Sequence, residues 1–147
     1  MTTSAPIADG RTIGLAHYAS RAVLETVLRR YGATFQQLVA LRLVAVADAP
    51  VERGALVAQV ADALKSGPED IREVVAELIA RGLVADDASH LTATESGRDL
   101  QERTAAETAA ISARIYAGIP AEDLAAAGRV LAVVTERADA ELAALTP

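Results

Sequence analysis

The chain has 147 residues, 52% of them hydrophobic but only 3% aromatic, so one folded unit with a core of Ala, Leu and Val is expected, which favours close-packed helices. With no Cys, disulfides, thiolate metal sites and thiol nucleophiles are excluded, and His17 and His90 are too few for a His-based metal cluster. The formal charge of −6 is uneven: residues 1–33 carry +2, while 34–92 and 93–147 carry −4 each.

Residues 1–10 are small and polar enough to form a loose N-terminal arm. They lack the basic region and apolar run of a secretory signal. The longest apolar stretch, Leu38 to Ala47, is interrupted by Arg42 and is too short to span a bilayer. A soluble, cytoplasmic protein is expected.

From Arg11, the spacing of Ile13, Ala16, Leu24, Val27 and Leu28 predicts a first helix ending at Tyr31-Gly32. Thr34-Phe35-Gln36-Gln37 is a capping box opening a second helix. That helix turns Leu38, Leu41, Val44 and Ala45 inward and stops before Pro50. A third helix carries Leu56, Val57, Val60 and Leu64 on one face and ends in a turn at Lys65-Ser66-Gly67.

The most informative stretch follows. Ser66-Gly67-Pro68-Glu69 predicts a helix start, with Ser66 as the cap, Pro68 in the first turn and Glu69 completing a capping box. Ile71, Val74, Val75, Leu78 and Ile79 make the buried stripe of this fourth helix, which Arg81-Gly82 ends. Leu83-Val84-Ala85 and Ser89-His90-Leu91 then read as two short strands around a turn at Asp86-Asp87-Ala88. Three short helices, the last leading into a hairpin, cannot be a βαβ pattern; they fit a winged helix-turn-helix.

Thr92 with Glu95 offers another capping box, for a long helix through Leu100, Thr104, Ile111 and Ile115 to Ala117-Gly118. Pro120, Glu122 and Asp123 sit in the first turn of a last helix striped by Leu124, Leu131, Val134, Leu142 and Leu145. Both long helices are Ala-rich and apolar on more than one side, and the first helix is similar. Packing between two subunits would cover those faces.

In Leu78-Ile79-Ala80-Arg81-Gly82-Leu83-Val84, Leu91-Thr92-Ala93-Thr94-Glu95-Ser96-Gly97 and Ala117-Gly118-Ile119-Pro120-Ala121-Glu122-Asp123-Leu124, and in the order of its helices, the chain resembles the MarR (multiple-antibiotic-resistance regulator) family. The resemblance covers nearly the whole chain. It implies a mainly α fold: a winged helix-turn-helix over 34–92 with a short β-hairpin wing, and a helical dimerisation lobe from residues 11–33 and 93–147. It also implies a homodimeric, ligand-responsive repressor whose fourth helix enters the DNA major groove and whose wing enters the minor groove. The chain departs from the family where the wing is short, with no Arg between Val84 and Leu91.

With the apolar stripe inward, the fourth helix exposes Glu69, Arg72, Glu73, Ala76 and Glu77. Carboxylates accept from cytosine N4 but repel phosphate. Arg72 is either a base or phosphate contact, or a solvated partner of Glu69 or Glu73. Lys65 and Ser66, at the helix entrance, would meet phosphate or serve only as caps. His90 leans into a groove or simply ends a strand. On the first helix, His17, Tyr18 and Arg21 lie near where the resemblance implies an effector pocket, and Arg21 suits a carboxylate ligand. Packing of His17 and Tyr18 into a dimer core is the plainer reading, as it is for Tyr116.

No nucleophile elbow, Gly-rich phosphate loop or isolated carboxylate pair is present, so no catalytic residue, metal site or cofactor is expected. The leading expectation is a dimeric regulator binding a two-fold operator in double-stranded DNA under control of a small anionic or aromatic effector. The alternative is a MarR-like dimer that has lost DNA binding and serves as a ligand-binding, protein-interaction or repurposed module.

Overall fold

A computed structural model describes residues 4–147, so the first three residues of the expected N-terminal arm lie outside the described residues. The chain divides after Ala109 into two compact units. The first holds α1 (Gly10–Arg30), α2 (Phe35–Ala45), β1 (Val51–Glu52), α3 (Arg53–Leu64), α4 (Pro68–Ala80), β2 (Val84–Asp87) and β3 (His90–Ala93). α5 (Glu95–Tyr116) starts in the first unit and ends in the second, which also holds α6 (Ala121–Leu145). Among the described residues no helix is long and apolar enough to cross a membrane.

The helices of the first unit begin and end for local reasons. α1 starts at Asp9, whose carboxylate accepts from the Thr12 N–H at 2.8 Å; that bond holds the Asp9 carboxyl below its ordinary pKa. α2 opens with the expected box: Thr34 Oγ1 accepts from Gln37 N at 3.1 Å, and Gln37 Oε1 accepts from Thr34 N at 3.3 Å. α3 is capped by Glu52, which accepts from Gly54 N and Ala55 N. Those two backbone bonds lower the Glu52 pKa.

Two expected caps fall elsewhere. Ser66 does not cap α4: the N-cap is Gly67, with no side-chain bond, and Pro68 takes the first helical position. Lys65 ends α3 in the left-handed conformation at φ 52°. Ser66 N then donates back to Ala61 O and its hydroxyl to Leu64 O, so Ser66 belongs to the end of α3. Likewise Thr92 lies within β3, and Thr94 opens α5 by accepting from Gly97 N at 3.1 Å. Pro120 precedes α6 as its N-cap, while Glu122 and Asp123 occupy the first turn as expected.

The sheet has the order β1-β3-β2 and is antiparallel throughout. β2 pairs Val84 with Ala93 and Asp87 with His90, leaving Ala88-Ser89 as a two-residue turn. The expected turn at Asp86-Asp87-Ala88 is therefore displaced towards Ser89. Both turn residues have positive φ, 50° and 67°, as the primed turns that match strand twist require. Asp86 supports the turn by accepting from Ser89 N at 2.8 Å. The sequence reading has no β1: Val51 and Glu52 pair with Leu91 and His90, and two residues are too few to show alternation.

The core of the first unit joins Leu41 and Val44 of α2, Leu56 and Val60 of α3, Ile71, Val75 and Leu78 of α4, and Leu83, Val84 and Leu91 around the sheet. Leu38, Ala45, Leu64 and Ile79 of the expected stripes are only half-buried. Gly97 lets α5 approach this layer, since a Cβ there would collide with the Leu83 carbonyl oxygen. In the second unit α6 has no buried residue at all.

Candidate nucleic-acid interface

α3, the three-residue connection Lys65–Gly67 and α4 form a helix-turn-helix. Burial of Ile71, Val74, Val75 and Leu78 at 5% exposure or less fixes the rotation of α4 about its axis. Glu69, Arg72, Glu73, Ala76 and Glu77 are consequently all exposed, as expected. The spacing of Glu69, Arg72, Glu73 and Ala76 puts these four on one outward stripe.

Arg72 makes no hydrogen bond or ion pair with any described residue, although Glu69 lies one turn before it and Glu73 directly after it. The solvated pairs weighed for it are not formed. Two further cations of the helix-turn-helix, one at each end of α3, are engaged. Lys65 lies 3.6 Å from Asp62, and Arg53 donates to Asp86 at 2.8 Å. Glu77 leaves the stripe by accepting from Gln37 Nε2 at 2.8 Å.

A polar cluster missed in the sequence holds α4 in place. Arg81 Nη1 donates to Gly32 O and to Gln37 Oε1, each at 2.9 Å. Gln37 is itself 7% exposed, and its two amide ends reach Arg81 and Glu77 at successive turns of α4. Arg81 therefore fastens the turn after α1 to the end of α4. Next to it, Tyr31 donates to Glu107 Oε2 at 2.8 Å and Arg30 donates to Glu107 Oε1 at 2.6 Å. The bond to Glu107 is the main cause of a raised Tyr31 pKa.

The hairpin is short and acidic. Asp86 is committed to Arg53 and to Ser89 N, whereas Asp87 is exposed. Arg53 N also donates to Ser89 O at 2.8 Å, so the turn is fastened to the start of α3. His90 is exposed at the end of β3, opposite Glu52 and Asp87, with Nδ1 3.2 Å from Ala88 O.

The three residues singled out on α1 separate. His17 and Arg21 line a cleft of about 270 Å³ together with Phe35, Gln36, Ala63, Leu64 and Ser66. Tyr18 is outside that lining and is 68% exposed, with its ring edge-on to His17 at 5.9 Å. Arg21 lies 4.7 Å over the Phe35 ring and donates to Glu25 at 2.8 Å, which fixes its guanidinium at the cleft wall. Ser66 also lines this cleft. Phe35, the only Phe of the chain, was hidden in the sequence by its place inside a capping box. Tyr116 is 52% exposed.

No protein-family model matches the chain, and no curated protein is detectably similar to it. Solved structures are similar to it. CouR from Rhodococcus jostii RHA1, bound to p-coumaroyl-CoA, superposes with a TM-score of 0.72 at 24% identity, covering 90% of this chain and 95% of its own. A MarR-family transcriptional regulator from Rhodococcus sp. RHA1 gives 0.70 at 24% identity, over 85% and 90% of the two chains. A MarR-family protein of Mycobacterium tuberculosis in complex with DNA gives 0.67 at 24% identity, over 89% and 98%.

Proposed function

We propose that this chain, whose fold is the winged helix-turn-helix of the MarR-family regulators, is a ligand-responsive dimeric transcriptional repressor that binds a two-fold operator in double-stranded DNA. The observation that carries this reading is the outward stripe of α4, which presents an uncommitted Arg72 on a helix held from behind by Gln37 and Arg81. A helix-turn-helix of this form lays its second helix in the major groove, and a dimer sets the spacing of two half-sites. Structures of the same fold bound to DNA and to p-coumaroyl-CoA support both halves of the reading.

Arg72 is the base or phosphate contact, with Glu69, Glu73 and Ala76 beside it; Lys65 and His90 lie at the rim. The effector site is the cleft walled by His17, Arg21 and Phe35, where a guanidinium and an aromatic ring suit a small anionic or aromatic molecule. Tyr18 has no part in it. Effector binding would work by a population shift that changes the separation of the two α4 helices. Solved structures of this fold include transcriptional regulators, and no catalytic role is assigned.

The test is a gel-shift of the intact protein against the DNA upstream of its own gene at several salt concentrations. Saturable binding that weakens steeply with salt is expected. Equal binding to unrelated duplexes, or none at low salt, would overturn the reading.

A further inference from the structure

The outward stripe of α4 is chemically one-sided. Arg72 only donates, Glu69 and Glu73 only accept, and Ala76 offers a methyl group. The stripe contains no Asn or Gln, the amides that pair bidentately with adenine by donating to N7 while accepting from N6. In the major groove guanine shows two acceptors, N7 and O6, and cytosine shows a donor, N4, without an acceptor. Adenine has a donor at N6 but sets the N7 acceptor beside it, and thymine has only the O4 acceptor, so a carboxylate is opposed at both members of an A·T pair. A side chain that only donates therefore matches guanine, and one that only accepts matches cytosine. These are the two members of one base pair.

The structure also keeps these groups available for such contacts. Arg72 forms no ion pair with Glu69 or Glu73; of the two further carboxylates at the edge of the stripe, Glu77 is held by Gln37 and Asp70 lies in the first turn of α4. We infer that α4 selects a G·C pair at the heart of each half-site, with Arg72 on guanine and Glu73, or Glu69 one turn earlier, on cytosine. This rests on the DNA-binding reading above. It gives the acidic residues of the helix a positive role. A carboxylate lowered against thymine O4 or guanine loses its hydration and gains nothing, and against adenine its bond from N6 is opposed by the neighbouring N7, so Glu69 and Glu73 would also disfavour A·T-rich half-sites.

The experiment is selection by the intact protein from a randomised duplex library at low salt. It is repeated with Arg72→Ala, Glu73→Gln and Glu69→Gln, and with Asp87→Asn as a control that removes one charge away from the stripe. All four positions are exposed, so the variants should fold. The wild-type protein should enrich G·C pairs at symmetric positions. Arg72→Ala should lose the guanine preference and weaken the selected site about 5- to 150-fold. One of the two Glu→Gln variants should move a cytosine preference to adenine, while Asp87→Asn should raise affinity for every sequence alike. If enriched duplexes are A·T-centred, or if base preference is the same in all variants, the G·C assignment is overturned and the regulator reading stands. If no duplex is enriched, both are overturned.

Discussion

Gly97 shows how much one missing side chain positions. Its N–H donates to Thr94 Oγ1, and the Leu83 carbonyl that lies against it accepts from Thr94 N at 3.1 Å. A Cβ would strike that carbonyl and come within 3.3 Å of Leu41 Cδ1, so neither the backbone nor the core can give way freely. Gly97→Ala should destabilise the protein by about 1–3 kcal/mol, the usual cost of overpacking, read as a lower denaturation midpoint at unchanged slope. Glu52 makes a second prediction. Its pKa is lowered by the Gly54 and Ala55 N–H groups from an ordinary value of 4.5. The stability it contributes is present above that value and is lost as pH falls through the lower folded value. Glu52→Gln should therefore melt below the wild type at neutral pH, and the gap should close on acidification below about 4.5. A gap independent of pH would remove the carboxylate from the cap.

At the level of elements, local chemistry made the helices legible and non-local pairing hid the rest. The Thr34 box and the buried stripe of α4 could be read from residues within one or two turns, and so could Gly82 at positive φ after Arg81. β1 exists only because Val51 and Glu52 meet β3. The hairpin turn was misplaced because Asp86-Asp87-Ala88 has turn chemistry, whereas register against β3 put the positive φ on Ala88 and Ser89. Of the candidate site, the outward stripe followed from the helical period. The Gln37–Arg81 cluster did not, because its members are 44 residues apart. Removing the guanidinium by Arg81→Met leaves the buried Gln37 oxygen with only its 3.3 Å bond from Thr34 N. The expected cost is about 1–3 kcal/mol, measured by denaturation, together with weaker DNA binding as α4 loses its support. In the wing, Asp86 is structural and Asp87 is free of that duty. Asp87→Arg should strengthen non-specific DNA binding and steepen its salt slope by about 0.9 for each phosphate gained. No change in slope would place the hairpin away from DNA.

On the scale of the molecule, α6 poses the largest unsolved burial problem. It is 25 residues long, and none of them is buried. Leu124, Leu131, Val134 and Leu142 follow one stripe and are 38–46% exposed, while Val130 and Val133, 45% and 43% exposed, extend the apolar surface around the helix. A helix stays helical in a protein chiefly through packing of its apolar face, and contiguous exposed apolar surface on this scale marks an interface. Ile115, Tyr116 and Ile119 just before it are also exposed. A second copy of the chain supplies identical apolar faces and closes the contact with two-fold symmetry, the symmetry that a two-fold operator would demand. The protein should therefore be an obligate homodimer. Leu131→Asp or Val134→Asp would set an unpaired charge in that interface, and should yield monomers or unfolded chains with loss of specific DNA binding. Light scattering decides the matter: a monodisperse monomer of the unaltered protein at micromolar concentration would exclude the dimer, and dimers persisting in both variants would move the interface off α6.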